Sequence, residues 1–248
     1  MRSRTCAEAI ALKEVVADLT LENRLLKKST LRDQPDAPEL PYLNEPKTLM
    51  TNTVVNKGLA DDTMKAMNAA GLKQTMYEAV TQGDKDFSAL ISKMKEENID
   101  VIYYGGYQTE AGLIVRQARD QGLKAQFIGA DALVTEEYWK ITGPAGEGTL
   151  MTFPPDPRNV PAAKAVVDKF KAEGYNPEGY TLYTYAAIQA FAQAAEKAKS
   201  VKLDDLSKAL HSMTAQTVVG PLTWDNKGDV TDPKYVFYVW KNGTYAEM

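Results

Sequence analysis

Two segments place a side chain capable of recognition just after an apolar run closed by small residues: YYGGYQTE presents Tyr107, and FIGAD presents Asp131. In an open parallel sheet, ligands bind outside the carboxyl ends of the strands, where the connecting loops converge and helix N-termini point the same way. Gly105 and Gly106 let the backbone turn tightly before Tyr107. A carboxylate beside an aromatic ring at such an edge suits an ammonium group attached to an apolar body. From the residues alone, Tyr107 also suits core packing and Asp131 also suits the cap of a following helix, and both readings stand open at this point.

Other chemistries find less material. The single histidine, His211, has no partner for a nucleophile-base-acid arrangement, and it closes the polar end of an amphipathic stretch, as a solvated helix-end residue would. One cysteine, Cys6, permits neither an intrachain disulfide nor an all-cysteine metal site. The glycines of GPAGEG lack dinucleotide-loop spacing, and the pair Asp61 and Asp62 reads as a solvated first helical turn. Asn242-Gly243-Thr244 reads as a hairpin turn, and Trp139, Trp224 and Trp240 as packing residues. A formal net charge of -4 offers no basic excess for nucleic acid, so neither a nucleic-acid partner, a cofactor nor an enzymatic activity is expected.

The elements that would hold Tyr107 and Asp131 in place follow a regular alternation. Helices are expected over 58–70, with Leu59, Thr63, Ala66, Met67 and Ala70 as its apolar stripe, then from Asp84 or Asp86 to about 98, 109–120 and 136–142. Strands are expected between them at 74–80, 99–104, 125–129 and 148–153. Such an alternation implies right-handed crossovers and a parallel sheet. A proline-rich turn over 154–161 precedes three helices without intervening strands, at 162–173, 180–199 and 203–212, and the end of the chain returns to strands with an Asn-Gly hairpin.

Ahead of this lies different material. Leu12, Leu19 and Leu26 recur every seven residues with Val15 and Val16 on the same face, which predicts an amphipathic helix over 6–28 and a possible short coiled coil through which the chain self-associates. Its segment KEVVADLTLENRLLKKS resembles the zipper-forming end of the small subunit of an insertion-sequence transposase. Pro35, Pro38, Pro41 and Pro46 then exclude helix or central strand and mark a junction. No apolar run approaches the roughly 20 residues of a bilayer span, and charged Lys13, Glu14 and Asp18 interrupt the start where an export signal would be apolar, so the chain reads as cytoplasmic as written.

The stretches KGLAD, GDKDFSALISKMKEENIDVIYYGGYQTEAG, RQARDQGLKAQFIG, GEGTLMTFP, YTYAAIQA and GPLTWDNKGD, in this order, resemble the periplasmic leucine/isoleucine/valine-binding proteins of ABC importers. The resemblance implies an α/β fold of the type I periplasmic-binding-protein kind and a branched-chain amino acid ligand delivered to importer membrane subunits. It implies that Tyr107 lines the pocket, that Asp131 pairs with the ligand ammonium, and that Tyr180 is a rim aromatic from the other lobe. The expected organisation is an amphipathic helix within 1–30, a junction over 31–53, one nearly complete lobe over 54–152 and 225–248, and a helical remnant of the other lobe over 153–224. The first strand is rebuilt from about 48–55. Val55, Asn56 and Lys57 stand where the family has Tyr-Gly, removing one aromatic wall. The half-lobe whose hydroxyl and N–H groups grip the ligand carboxylate has no counterpart; losing three such bonds, at about 1.5 to 3 kcal/mol each, weakens binding by a factor of at least ~10³. The remnant is expected to expose apolar residues such as Val166, Val167 and Phe170, or to cover them with the N-terminal helix.

Overall fold

The computed structural model describes residues 47–53 and 57–248. The amphipathic segment 6–28, its resemblance to a transposase subunit and the prolines of the junction lie outside the described residues, as do Val55 and Asn56. β1 (Thr48–Thr53) occupies the place expected of the rebuilt first strand, so that the junction ends before it.

Alternating apolar strands and helices give, in order, β1, α1 (Lys57–Ala69), β2 (Gln74–Val80), α2 (Ser88–Glu96), β3 (Val101–Gly105), α3 (Gln108–Asp120), β4 (Gln126–Gly129), α4 (Glu136–Thr142) and β5 (Leu150–Phe153). There follow α5 (Lys164–Ala172), α6 (Thr181–Ala198), α7 (Leu203–His211), β6 (Ala215–Thr217), β7 (Gly220–Leu222), β8 (Val236–Lys241) and β9 (Thr244–Glu247). Seven strands form one sheet in the order β2-β1-β3-β4-β5-β8-β9. Every pair from β2 to β5 is parallel, while β8 and β9 return antiparallel through the Asn242-Gly243 turn. Ile102, Tyr104 and Phe127 of the sheet pack with Ile91 and Met94 of α2 and with Ile114 and Val115 of α3, and Tyr138, Tyr238 and Trp240 extend this core.

The chain divides into two compact units. The sheet unit runs to Tyr185 and resumes over Lys234–Met248, and the second unit comprises Ala186–Pro233. This differs from the expected boundaries at 152 and 225. The physical reason is that residues after β5 bond back to the sheet unit: Pro154 O accepts from Tyr238 Oη of β8 at 3.0 Å, and Glu178 accepts from Thr135 Oγ1 at 3.0 Å. In the second unit Ala194, Leu206 and Ala209 form a small core, and the antiparallel pair β6 and β7 lies beyond α7 in sequence. β6 was not expected from the sequence.

Three further expectations change. Of the α1 stripe, Ala66 and Ala70 are exposed, and the buried residue is Ala60. Asp61 is half-buried rather than solvated, because its carboxylate accepts from Lys57 Nζ and from Tyr77 Oη of β2, each at 2.6 Å. On α5, exposure does not hold for Val167, which is buried, nor fully for Val166 and Phe170, which are half-buried, Phe170 with an edge-on contact to Tyr175. Cover by the N-terminal helix lies outside the described residues, and exposed apolar side chains farther along include Ile188, Val201 and Leu203. Among the described residues no helix is long and apolar enough to cross a membrane.

Candidate functional site

Tyr107 and Asp131 follow the carboxyl ends of two adjacent parallel strands. β3 and β4 pair in register, with Tyr104 opposite Gly129. β3 closes at Gly105, and Tyr107 is the half-buried, extended residue from which α3 begins. The turn between them requires glycine at 106 because the ring of Tyr104 lies directly beneath it: a Cβ there would stand 2.3 Å from Tyr104 Oη and 2.4 Å from Cζ. β4 closes at Gly129, and Asp131 opens a 3-10 turn, Asp131–Leu133. That turn folds back so closely that Leu133 Cδ1 would lie 2.1 Å from a Cβ at 129.

The third residue, Tyr180, reaches the same edge from the next strand. Its ring packs edge-on against Phe153, the last residue of β5, with centroids 5.0 Å apart, and its hydroxyl donates to the Asp131 carboxylate. Tyr180 therefore belongs to the same compact unit as Asp131, where the resemblance implied the other lobe. Asp131 and Tyr180 are brought into contact; Tyr107 shares the edge without bonding to either. The helix-cap reading of Asp131 is replaced by another residue, since α4 is capped by Thr135, whose Oγ1 accepts the Glu137 N–H. Glu178 adds to that helix end by accepting the Glu136 N–H at 2.9 Å.

One residue at this edge escaped the sequence reading. Tyr103 lies on the face of β3 opposite Tyr104, as strand alternation requires. Its phenol is pushed up to about 12, chiefly by burial and further by the nearby negative charge of Asp131, while a hydrogen bond with Thr63 of α1 works in the opposite direction. The paired tyrosines of YYGG carry the signal in the sequence, since alternation along a strand sends one of them to each face.

The edge thus offers one carboxylate among phenols, which can accept from an ammonium group and enclose an apolar body. His211 stands exposed at the end of α7, with Nδ1 2.8 Å from Ser207 O, far along the chain from these residues. Among the described residues no group of three or more histidine, cysteine, aspartate or glutamate side chains could hold a metal ion.

Comparison with known proteins agrees with this architecture. The family model described as periplasmic binding protein matches residues 48–244. A Leu/Ile/Val-binding protein homolog from Brucella suis is 52% identical over 192 residues, which cover 77% of this chain and 52% of that protein. An amino acid binding protein from Pseudomonas aeruginosa is 45% identical over 195 residues, again 77% of this chain and 52% of its own length. The chain therefore spans about half the length of these relatives. Among solved structures, a leucine-binding protein from Thermotoga maritima superposes with a TM-score of 0.71 at 28% identity, covering 82% of this chain and 59% of that one. A branched-chain amino acid transporter substrate-binding protein from Streptococcus pneumoniae, solved with isoleucine, shares the fold with a TM-score of 0.68 at 22% identity, covering 81% of this chain and 60% of that one. These relatives are named for binding amino acids, and the Streptococcus pneumoniae protein for serving a transporter. With the matched family model extending over most of its length, the chain belongs to the periplasmic binding protein family.

Proposed function

We propose that this chain recognises a branched-chain or other small aliphatic amino acid, as a solute-binding component of an ABC-type importer. In this reading Asp131 receives the ligand ammonium, Tyr107 lines the apolar side chain, and Tyr180 closes the rim while holding the Asp131 carboxylate in place. The observation that carries it is the convergence at one sheet edge: Tyr180 donates to Asp131, and Tyr107 is presented by the adjacent strand. The Leu/Ile/Val-binding names of the relatives and the fold shared with a structure holding isoleucine support the choice of ligand. Importer membrane subunits are the partners this role requires.

Recognition by this chain alone is weak in this proposal, because among the described residues the edge supplies groups for the ammonium and the aliphatic body and not a grip for the carboxylate. Calorimetric titration with leucine, valine and alanine tests the reading, with NMR line broadening as the readout for weak binding. Leucine is expected to bind with an affinity that Asp131→Ala lowers at least tenfold. An affinity that Asp131→Ala leaves unchanged would remove the ammonium assignment, and a spectrum unresponsive to leucine at saturating concentration would remove the ligand.

A further inference from the structure

Two buried oxygen atoms behind the turn that presents Tyr107 have no hydrogen-bond partner among the protein groups. Tyr104 is 0% exposed, and its Oη bonds to nothing. Glu110 is 3% exposed; its Oε1 accepts the Gly83 N–H at 2.9 Å, while Oε2 is left over. Both belong to one locality. The Tyr104 ring lies under Gly106, and Glu110 stands in the first turn of α3, which begins where that glycine turn ends. The carboxylate is near enough for its charge to raise the Tyr104 phenol further, beyond what burial does, yet no direct hydrogen bond joins the two. The Tyr107 N–H is also near Oη without meeting hydrogen-bond geometry.

The chemistry of the pair defines what fits between them. An ionised carboxylate oxygen only accepts, whereas a phenol donates and accepts. A species that accepts from the phenol and donates to the carboxylate satisfies both. A hard cation would need about six oxygen ligands, and this locality offers far fewer. We infer that Tyr104 and Glu110 form a built-in receptor for one water molecule, which accepts the Tyr104 O–H and donates to Glu110 Oε2.

Buried waters make about three hydrogen bonds, and a third buried oxygen without a partner stands on the next strand. Thr51 is 0% exposed, its Oγ1 is likewise unpartnered, and it is paired in register with Tyr104 on the neighbouring strand β1. The consequence is mechanical. Glu110 grips the loop after β2 directly through Gly83 and grips the end of β3 through the water, so the loops following two strands of the sheet are tied to one carboxylate. The site lies behind Tyr107 and does not depend on the ligand proposed for the edge in front of it.

A high-resolution crystal structure of the full chain tests this directly. A solvent peak about 2.6 to 3.2 Å from both Tyr104 Oη and Glu110 Oε2 is expected; a direct bond between the two side chains, or a gap without density, would overturn the assignment. Thermal melting of Tyr104→Phe, Glu110→Gln and the double variant gives an independent measure. Glu110→Gln keeps an acceptor for Gly83 but turns the water-facing atom into a donor. With a shared water the two substitutions couple, so the double variant loses clearly less in Tm than the sum of the single losses. Additive losses would show that the two groups hold nothing in common.

Discussion

Replacing Gly106 with alanine adds a single methyl group at the point of closest approach in the sheet edge, and its cost can be worked from the geometry. The new Cβ would lie 2.3 Å from Tyr104 Oη, 2.4 Å from Cζ and 2.6 Å from Cε1, where ordinary contact begins at 3.4 Å. One partner must therefore move by about 1 Å, more than a packed interior concedes easily. Tyr104 has little freedom to do so: it is fully buried, its ring centroid lies 5.9 Å from that of Phe127, and β3 is paired on both sides, by β1 and β4. Gly106 is outside the left-handed region, so alanine meets no backbone penalty and the collision is the whole effect. Overpacking of this kind costs about 2 to 3 kcal/mol, or about 4 to 12 °C in Tm for a domain of this size. The assay is thermal unfolding of the parent, Gly106→Ala, Tyr104→Leu and the double variant. Tyr104→Leu removes all three colliding atoms, so in that background Gly106→Ala should cost less than about 1 kcal/mol. An equal loss in both backgrounds would refute the collision and put the cost elsewhere in the turn.

Other expectations follow from single contacts. Arg158 holds Asp156 through Nε at 2.9 Å and Nη2 at 2.6 Å, reaches Asn176 through Nη1 at 3.1 Å, and lies over the Tyr245 ring. With the two side chains 22% and 19% exposed, Arg158→Ala should cost about 1 to 3 kcal/mol in chemical denaturation, and Arg158→Lys should not restore it, since a point charge cannot span both oxygens. In alkali, Tyr103 ionises near 10.0 when unfolded but only at about 12 in the folded chain. Its contribution is therefore complete below pH 10 and is lost as pH rises through 12, at up to about 1.36 kcal/mol per pH unit. Tyrosinate absorbance followed together with circular dichroism should show a shallower loss for Tyr103→Phe; an identical profile counts against this. Gln193 pairs with both the N–H and the C=O of Gln216, at 2.9 and 2.8 Å, and Gln189 accepts the Val218 N–H at 2.8 Å. Replacing both glutamines with alanine frees that edge of β6 and should promote concentration-dependent association in sedimentation; an unchanged boundary would show that the glutamines do not protect the edge. If residues 6–28 drive self-association, deleting 1–30 should shift the sedimentation coefficient to that of a monomer, and an unshifted boundary would exclude them.

The parts of the fold set by local pattern were legible in the sequence. β2 and α4 occupy the residues expected of them, because apolar periodicity and stop signals suffice for such elements. What escaped depends on partners distant in sequence. β6 is three residues long, and the groups that hold its outer edge are two glutamines of α6 rather than a strand, so no alternation of its own announces it. Asp61 looks like a first-turn acid until Tyr77, sixteen residues on, supplies a hydroxyl to it. The division at Tyr185 goes with hydrogen bonds from Tyr238 to Pro154 and from Thr135 to Glu178 that composition does not reveal.

The candidate site shows the same separation between what strands fix and what packing fixes. Strand ends placed Tyr107 and Asp131 at neighbouring positions on one edge, but the approach of Tyr180 to Asp131 across 49 residues requires the ring of Phe153 as its seat, and no sequence spacing encodes that. The three residues nevertheless hang from one compact unit. The proposed ammonium end of the site can therefore be tested apart from any carboxylate grip. An alkylamine carrying the leucine side chain but no carboxylate should compete at this edge nearly as well as leucine itself. A strong preference for the complete amino acid would mean that this chain carries a carboxylate grip of its own, against the expectation that such groups have no counterpart here.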